Sequence, residues 1–229
     1  MSHAPALPLF VLVVAGGSGV RMGGPVPKQF LPLCGRPVLM HTLEAFFRWK
    51  PDLNLVLVLP KEEIETWGRL CHAHDFDLPH RVVPGGTTRH QSVRNGLSAL
   101  PAHGLVAIHD GVRPLVSREV METCFREAAI HGSAVPVTEM IDSVRIITPL
   151  GSSVLDRAQL RCVQTPQTFN LSQLHQAFER AETDTFTDDA AVFEAAGFPI
   201  HLCSGDPRNI KITTTADLMV AEAWLQAKS

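Results

Sequence analysis

The sequence predicts an α/β fold of Rossmann-like type, a mostly parallel sheet flanked by helices, with a β-arm for dimerisation inserted over residues 139–162. Three observations carry this expectation. Short apolar runs rich in β-branched residues alternate with segments whose apolar residues recur at helical spacing, the pattern of a parallel sheet covered by helices. Glycine-rich or acidic loops follow several of the apolar runs, at the strand ends where open α/β sheets hold ligands. One segment interrupts the alternation with two strand-like pieces around a Pro/Gly-containing turn, a hairpin signal. No internal repeat or low-complexity linker divides the 229 residues, so a single domain over 1–229 is expected, long enough to bury a proper core.

The elements follow in order. Leu9 to Val14 has the length and β-branched content of a buried parallel strand. The glycine loop Ala15-Gly16-Gly17-Ser18-Gly19-Val20-Arg21-Met22 comes next, then Pro27-Lys28-Gln29-Phe30. Val38 to Trp49 carries Val38, Leu39, Leu43, Phe46 and Phe47 at helical spacing, and Pro51 stops it. Leu53 to Leu59 is a buried strand, Lys61 to His74 an amphipathic helix, and Arg81 to Val83 a short strand entering Pro84-Gly85-Gly86. Helical spacing returns from Arg89 to Leu100, and Leu105 to Ile108 is a strand ending at His109-Asp110. Arg118 to His131 is a helix and Ala134 to Val137 a strand. Within the arm, Ser143 to Thr148 and Val154 to Leu155 are separated by the five residues Pro149 to Ser153. A projecting hairpin exposes two edges, which a homodimer with exchanged arms would cover. Ser172 to Glu182 and Asp188 to Ala196 are helices, Ile200 to Leu202 a strand, and Thr215 to Lys228 a closing helix capped by Thr214 or Thr215.

Composition excludes several function classes. A hydrophobic fraction of 45% and a charged fraction of 19% are those of an ordinary soluble globular protein. The formal net charge of −3 gives no general basic footprint for nucleic acid, so any anion site must be local. Five cysteines, widely spaced and without a C-x-x-C pair, suit free thiols in a reducing cytosol, so a cytoplasmic protein is expected. No run reaches the length of a membrane span. The apolar stretch Ala6 to Ala15 lacks a preceding Lys or Arg and leads into a glycine loop, so it reads as the first strand and not as a signal peptide. Cys71-His72-Ala73-His74-Asp75 has ligand-type side chains but stands beside no other cluster.

The chemistry begins at the first loop. Gly16, Gly17 and Gly19 let the backbone approach a ligand, and their N–H groups can cradle phosphate oxygens. Arg21 and Lys28 follow as two cations suited to a polyphosphate whose negative charge grows during reaction. A dinucleotide fingerprint would need a small residue where Met22 stands, and a P-loop would need Gly-Lys-Ser/Thr where Gly24 is followed by Pro25. A glycine-rich structural turn with two solvated cations is the plain alternative. Gly85-Gly86-Thr87-Thr88-Arg89-His90-Gln91-Ser92 offers backbone donors, hydroxyls and an arginine at a helix start, suited to a base, ribose or phosphate, or else to a helix cap with a surface arginine. Asp110 directly follows a strand, where a carboxylate is either a ligand or a cap. Lys211, flanked by Ile210 and Ile212, is expected to have an anionic partner or to snorkel.

Taken together and in order, these loops resemble the nucleotidyltransferases that join a nucleoside triphosphate to a polyol phosphate, and most closely the 2-C-methyl-D-erythritol 4-phosphate cytidylyltransferases. The segments are Ala15-Gly16-Gly17 with Gly19, Arg21 and Met22; Pro27 to Phe30; Gly85-Gly86 with Arg89 and Ser92; and His109-Asp110 with Arg113-Pro114. Asp156-Arg157, Gln164-Thr165-Pro166-Gln167, Thr187-Asp188 and Asn209-Ile210-Lys211 continue the series to the C-terminus. The resemblance implies CTP, Mg²⁺ and a homodimer with interlocking 139–162 arms. It implies that Ala15, Gly16, Gly17 and Gly19 hold the triphosphate, that Gly86, Thr87, Arg89 and Ser92 belong to the nucleotide site, and that Asp110 sits by ribose and metal. Arg21, Lys28 and Lys211 would surround the reacting α-phosphate. Arg113, Ser143, Arg157 and Thr187 would bind methylerythritol phosphate, with Ser143 and Arg157 offered by the partner's arm. A ribitol 5-phosphate cytidylyltransferase shares several of these segments and is the nearest alternative, and a nucleotide-sensing module without turnover is a second.

Overall fold

The computed structural model describes residues 7–16 and 26–227. Strand β1 (Leu9–Val14) leads to a 3-10 turn at Lys28–Phe30 and a tight ribbon of β2 (Pro32–Leu33) and β3 (Arg36–Pro37). Its turn places Cys34 and Gly35 in the left-handed region, at φ 49° and 79°. Helix α1 (Val38–Trp49), β4 (Asn54–Leu59), α2 (Ile64–Ala73), β5 (Arg81–Pro84), α3 (Arg89–Leu97), β6 (Leu105–Asp110) and α4 (Arg118–His131) follow in regular alternation. Then come β7 (Ser133–Glu139), the arm strands β8 (Val144–Thr148) and β9 (Gly151–Leu155), and β10 (Arg161–Val163) and β11 (Gln167–Asn170). Helices α5 (Leu171–Arg180) and α6 (Asp189–Ala195), strand β12 (Leu202–Ser204) and helix α7 (Thr215–Gln226) complete the chain.

The main sheet has the order β10-β7-β11-β6-β1-β4-β5, with β12 on the far side of β7. β1 lies parallel between β4 and β6, pairing Val11 with Leu55 on one side and with Ala107 on the other. Because side chains alternate across a strand, β1 feeds two cores. Val11 and Val13 join α1, α2 and α4 residues such as Leu43, Trp67 and Phe125. Leu12 and Val14 join Val93, Leu97, Phe178 and Phe193 from α3, α5 and α6. Leu12 is fully buried, and a side chain of that size contributes about 1.5–3 kcal/mol by leaving water. Helix α3 packs so closely on the sheet that a Cβ at Gly96 would meet Val58 at 2.9 Å. A third cluster seats α7 on the β2–β3 ribbon and the loop after β6, through Leu33, Val38, Val112, Leu115, Ile212 and Ala221.

Two expectations need correction. The arm hairpin has a tighter turn than the five-residue one the sequence suggests: β9 begins at Gly151, φ 129°, and Thr148 pairs with Gly151 around Pro149-Leu150. Small polar Ser152 and Ser153 conceal that strand from a search for apolar residues. The second concerns β11 and β10, which carry no apolar alternation and which the sequence reading does not assign as strands. β11 is a central strand, antiparallel to both β6 and β7, and β10 runs antiparallel to β7. These two run against the other strands, so the sheet is mixed, parallel from β5 to β6 and reversed at β11. The arm pairs β8 with β9 as a separate two-stranded sheet and exposes Ile147, Leu150 and Val154. All five cysteines are free thiols. No helix among the described residues is long and apolar enough to cross a membrane.

Candidate active site

The carboxyl ends of β1, β5 and β6 surround a cavity of about 290 Å³. Val14, Ala15 and Gly16 form one wall, Gly86 to Arg89 and Ser92 another, and Asp110, Val112 and Lys211 a third, with Lys28 and Gln29 alongside. Among the described lining residues, Lys28 and Lys211 stand against one carboxylate, Asp110, while the third cation, Arg89, is paired with Asp189 behind the wall. Such a balance suits an anionic ligand. Gly17, Gly19 and Arg21 lie outside the described residues.

Ser92 joins two walls. Its hydroxyl donates to the Thr88 carbonyl (2.9 Å) and accepts the Gly86 N–H (3.1 Å). A Cβ at Gly85 would sit 2.9 Å from Ser92 Oγ and 3.4 Å from the Leu59 carbonyl, so only glycine allows this approach of loop to helix. Thr88 caps α3 by accepting the Gln91 N–H (3.1 Å). Thr87 donates through both N–H and hydroxyl to Gln91 Oε1, at 3.1 and 2.8 Å. Gln29 also lines the cavity; it is 1% exposed, and its buried Oε1 has no partner among the described residues.

Asp110 is the electrostatic centre. Its Oδ2 lies 3.1 Å from Arg113 Nε and 3.1 Å from Lys211 Nζ. Burial alone would raise its pKa, but Lys211, Arg113 and Arg89 outweigh that and hold the carboxyl well below the usual range. Behind it, Thr165 Oγ1 accepts the Asp110 N–H (3.1 Å) and donates to His109 Nδ1 (3.1 Å), while His109 Nε2–H donates to the Arg113 carbonyl (3.0 Å). That pattern requires a neutral imidazole, and burial pushes its pKa down to about 4.

Several expected residues occupy different positions. Arg89 reaches the cavity, but its guanidinium holds Asp189 bidentately at 2.8 and 2.6 Å, with Asp189 only 1% exposed. Burial disfavours its charge, and Asp189 more than restores it, so the arginine pKa is raised. Arg113 is committed to Asp110 and to the Asn209 carbonyl (2.7 Å) and is not among the residues lining the cavity. Ser143, Arg157 and Thr187 are exposed and likewise do not line it. The guanidinium of Arg157 donates to the Ile141 carbonyl within the arm.

The segment Gln164-Thr165-Pro166-Gln167 has functions that residue types alone did not disclose. Gln164 holds Asp206 through both its amide groups, donating to the carbonyl (2.9 Å) and accepting the N–H (3.1 Å). The Thr165 carbonyl accepts from Asn209 Nδ2 (2.7 Å). Gln167 Oε1 accepts the N–H groups of Asp189 (3.1 Å) and Ala190 (2.9 Å) at the start of α6. One four-residue stretch thus positions the Asp110 loop, the Lys211 loop and the α6 terminus.

This arrangement of loops has relatives. The family model of 2-C-methyl-D-erythritol 4-phosphate cytidylyltransferase matches residues 9–227. The chain belongs to that family. A Bacteroides fragilis protein of that name is 50% identical over 214 residues, spanning 93% of this chain and 98% of the relative. The structure is similar to 4-diphosphocytidyl-2C-methyl-D-erythritol synthase from Anaerococcus prevotii, with TM-score 0.81 and 30% identity over 96% of this chain and 99% of that one. It is similar also to 2-C-methyl-D-erythritol 4-phosphate cytidylyltransferase from Thermus thermophilus, with TM-score 0.78 and 33% identity over 96% and 99%. The expected family and α/β fold are therefore borne out over nearly the whole chain.

Proposed function

We propose that this enzyme joins CMP from CTP to 2-C-methyl-D-erythritol 4-phosphate and releases pyrophosphate. The observation that carries the reading is the convergence of Lys28, Lys211 and Asp110 on a cavity walled by Ala15-Gly16 and Gly86-Thr87, in a chain of this family. The attacking group is a phosphate monoester, mostly dianionic near neutral pH because its second pKa is about 6. No general base is needed. The difficulty is to bring one anion onto another, which cations and in-line positioning relieve.

Ala15 and Gly16, continued by Gly17 and Gly19, would hold the triphosphate, with Gly86, Thr87 and Ser92 at the base. Lys28 and Lys211, with Arg21, would stabilise the charge that develops at the α-phosphorus. Asp110 would hold Mg²⁺ through its other carboxylate oxygen, Oδ1, because Oδ2 is engaged by Arg113 and Lys211, and a hard cation completed by substrate phosphates needs few protein carboxylates. When bound there, the ion would neutralise the departing pyrophosphate.

The polyol site requires a second chain in this reading. Ser143 and Arg157 sit on an exposed arm whose apolar Ile147, Leu150 and Val154 need cover. Arms exchanged in a homodimer would cover them and bring both residues to a partner's cavity, near Thr187 and Arg113. Light scattering should show a dimer that Leu150→Asp weakens; a monomeric wild type refutes the exchange. The activity itself is tested by pyrophosphate release with CTP and Mg²⁺. Methylerythritol phosphate should support it and ribitol 5-phosphate should not. The reverse outcome would overturn the substrate and keep the chemistry.

A further inference from the structure

Away from the cavity, three metal-ligand side chains meet where the end of α4 faces the approach to β12. Glu127 and His131 are one helical turn apart, on one face of α4, and His201 immediately precedes β12. Glu127 Oε2 lies 3.5 Å from His131 Nε2 and 3.4 Å from His201 Nε2, and all three atoms fall within 4.8 Å of one another. The two imidazoles stack with centroids 3.8 Å apart and planes 14° from parallel, so one of these partly exposed rings must swing out of the stack for both Nε2 lone pairs to meet at one ion. The two Glu127–histidine spacings are long for hydrogen bonds, which for N–H···O fall at about 2.7–3.2 Å. They are close to the ligand–ligand spacing around a tetrahedral ion, about 3.4 Å when each bond is about 2.0–2.1 Å.

The groups are also held in place. Arg126 donates through Nε and Nη2 to Glu127 Oε1, at 3.1 and 3.0 Å. The carboxylate is thereby fixed with Oε2 turned to the imidazoles, as an outer partner fixes a ligating carboxylate. On the other side, the His201 N–H donates to Ser133 Oγ (3.0 Å), and its carbonyl accepts from the Val135 N–H (2.9 Å). Ser133 Oγ in turn donates to the Pro199 carbonyl (2.8 Å). The histidine side chains are 42% and 36% exposed, so an ion can enter from solution.

We propose that Glu127, His131 and His201 bind a divalent transition-metal ion of the zinc class, with a fourth position left to water. Two imidazoles select such an ion over Mg²⁺ or Ca²⁺, which take oxygen ligands. The bound ion clips the last turn of α4 to the strand that leads into the Asp206–Lys211 loop. None of the three residues lines the cavity, so the site is separate from that of the proposed reaction.

The test uses untagged, chelator-stripped protein in excess Mg²⁺, which occupies oxygen-only sites. Zn²⁺ binding is followed by calorimetry and by thermal unfolding, and Co²⁺ replaces Zn²⁺ for visible spectroscopy. Zn²⁺ should bind one per chain and raise the melting temperature, and Co²⁺ should give the strong visible bands of a four- or five-coordinate imidazole site. His131→Ala and His201→Ala should each weaken Zn²⁺ binding by at least about 100-fold, beyond the roughly 10–100-fold cost of losing an outer partner. Both side chains are partly exposed, and metal-free melting temperatures near wild type will show that the variants fold. Glu127→Gln keeps the side-chain shape and should also lose affinity. Equal Zn²⁺ affinity in wild type and the double histidine variant overturns the proposal. So does no Zn²⁺ response in wild type, or loss of binding in Cys71→Ser or Cys203→Ser with the histidine variants unaffected.

Discussion

Replacing Arg89 by Met tests whether that arginine is a strut or a nucleotide ligand. Arg89 and Asp189 approach to 2.6 Å, the arginine side chain 29% and the aspartate 1% exposed. At an effective dielectric of about 20, unit charges that close attract by about 6 kcal/mol. Desolvation of Asp189 and partial screening of Arg89 reduce the net value of the intact pair, but deleting one partner leaves a buried carboxylate alone. That deletion costs about 3–5 kcal/mol. Urea unfolding should therefore show the Arg89→Met midpoint lowered by roughly 1–1.7 M, for a slope of about 3 kcal/mol/M. Asp189→Asn in the same background should recover part of the loss, and the double-mutant cycle should give a coupling of about 2–3 kcal/mol. CTP affinity would fall only as the α3 and α6 termini loosen. A wild-type urea midpoint combined with a large loss of CTP binding would refute the strut, and Arg89 would then be a ligand as its motif position suggested.

Lys211→Met removes a cation 3.1 Å from the buried Asp110 but leaves Arg113 paired with it, and Lys211 is itself 42% exposed, so the loss of stability should be smaller than for Arg89→Met. If Lys211 stabilises the transition state, kcat should fall by about 10²–10³, and unchanged kcat with a raised KM for CTP would assign it to ground-state binding alone. His109 sets an acid limit on stability. Its pKa is lowered from 6.5 to about 4 by burial, so the unfolded chain takes up a proton that the folded one refuses. The stabilisation is complete above about pH 6.5 and is lost as pH falls towards 4, amounting to about 3 kcal/mol. Urea midpoints measured from pH 7 to 4.5 should drop more steeply for wild type than for His109→Gln, and parallel curves would show that His109 is not responsible.

What was legible in the sequence follows from what each residue does locally. The β1 run, α1 and α4 were readable because burial on two faces or along one stripe leaves a direct apolar pattern; α1 and α4 begin and end at the predicted residues. β11 was not, because Gln167 and Thr168 are buried polar side chains in the middle of the sheet and break that pattern. Their polarity has a structural cause: Gln167 serves the backbone of α6 and the carboxylate of Asp188 (2.9 Å). The candidate site shows the same division. Asp110, Ser92 and Lys211 could be found because Asp110 ends a strand, Ser92 lies in the first turn of the helix after a glycine pair, and Lys211 stands between apolar flanks. The partnership of Arg89 with Asp189 joins residues 100 apart, and that of Gln164 with Asp206 joins residues 42 apart. No local spacing encodes them. An arginine beside a glycine pair therefore reads as a phosphate ligand until the topology brings α6 against α3 and supplies its carboxylate. The loops that touch substrate advertise their chemistry, whereas the polar residues that position those loops are identified by their partners, and the partners are set by the reversed strand β11.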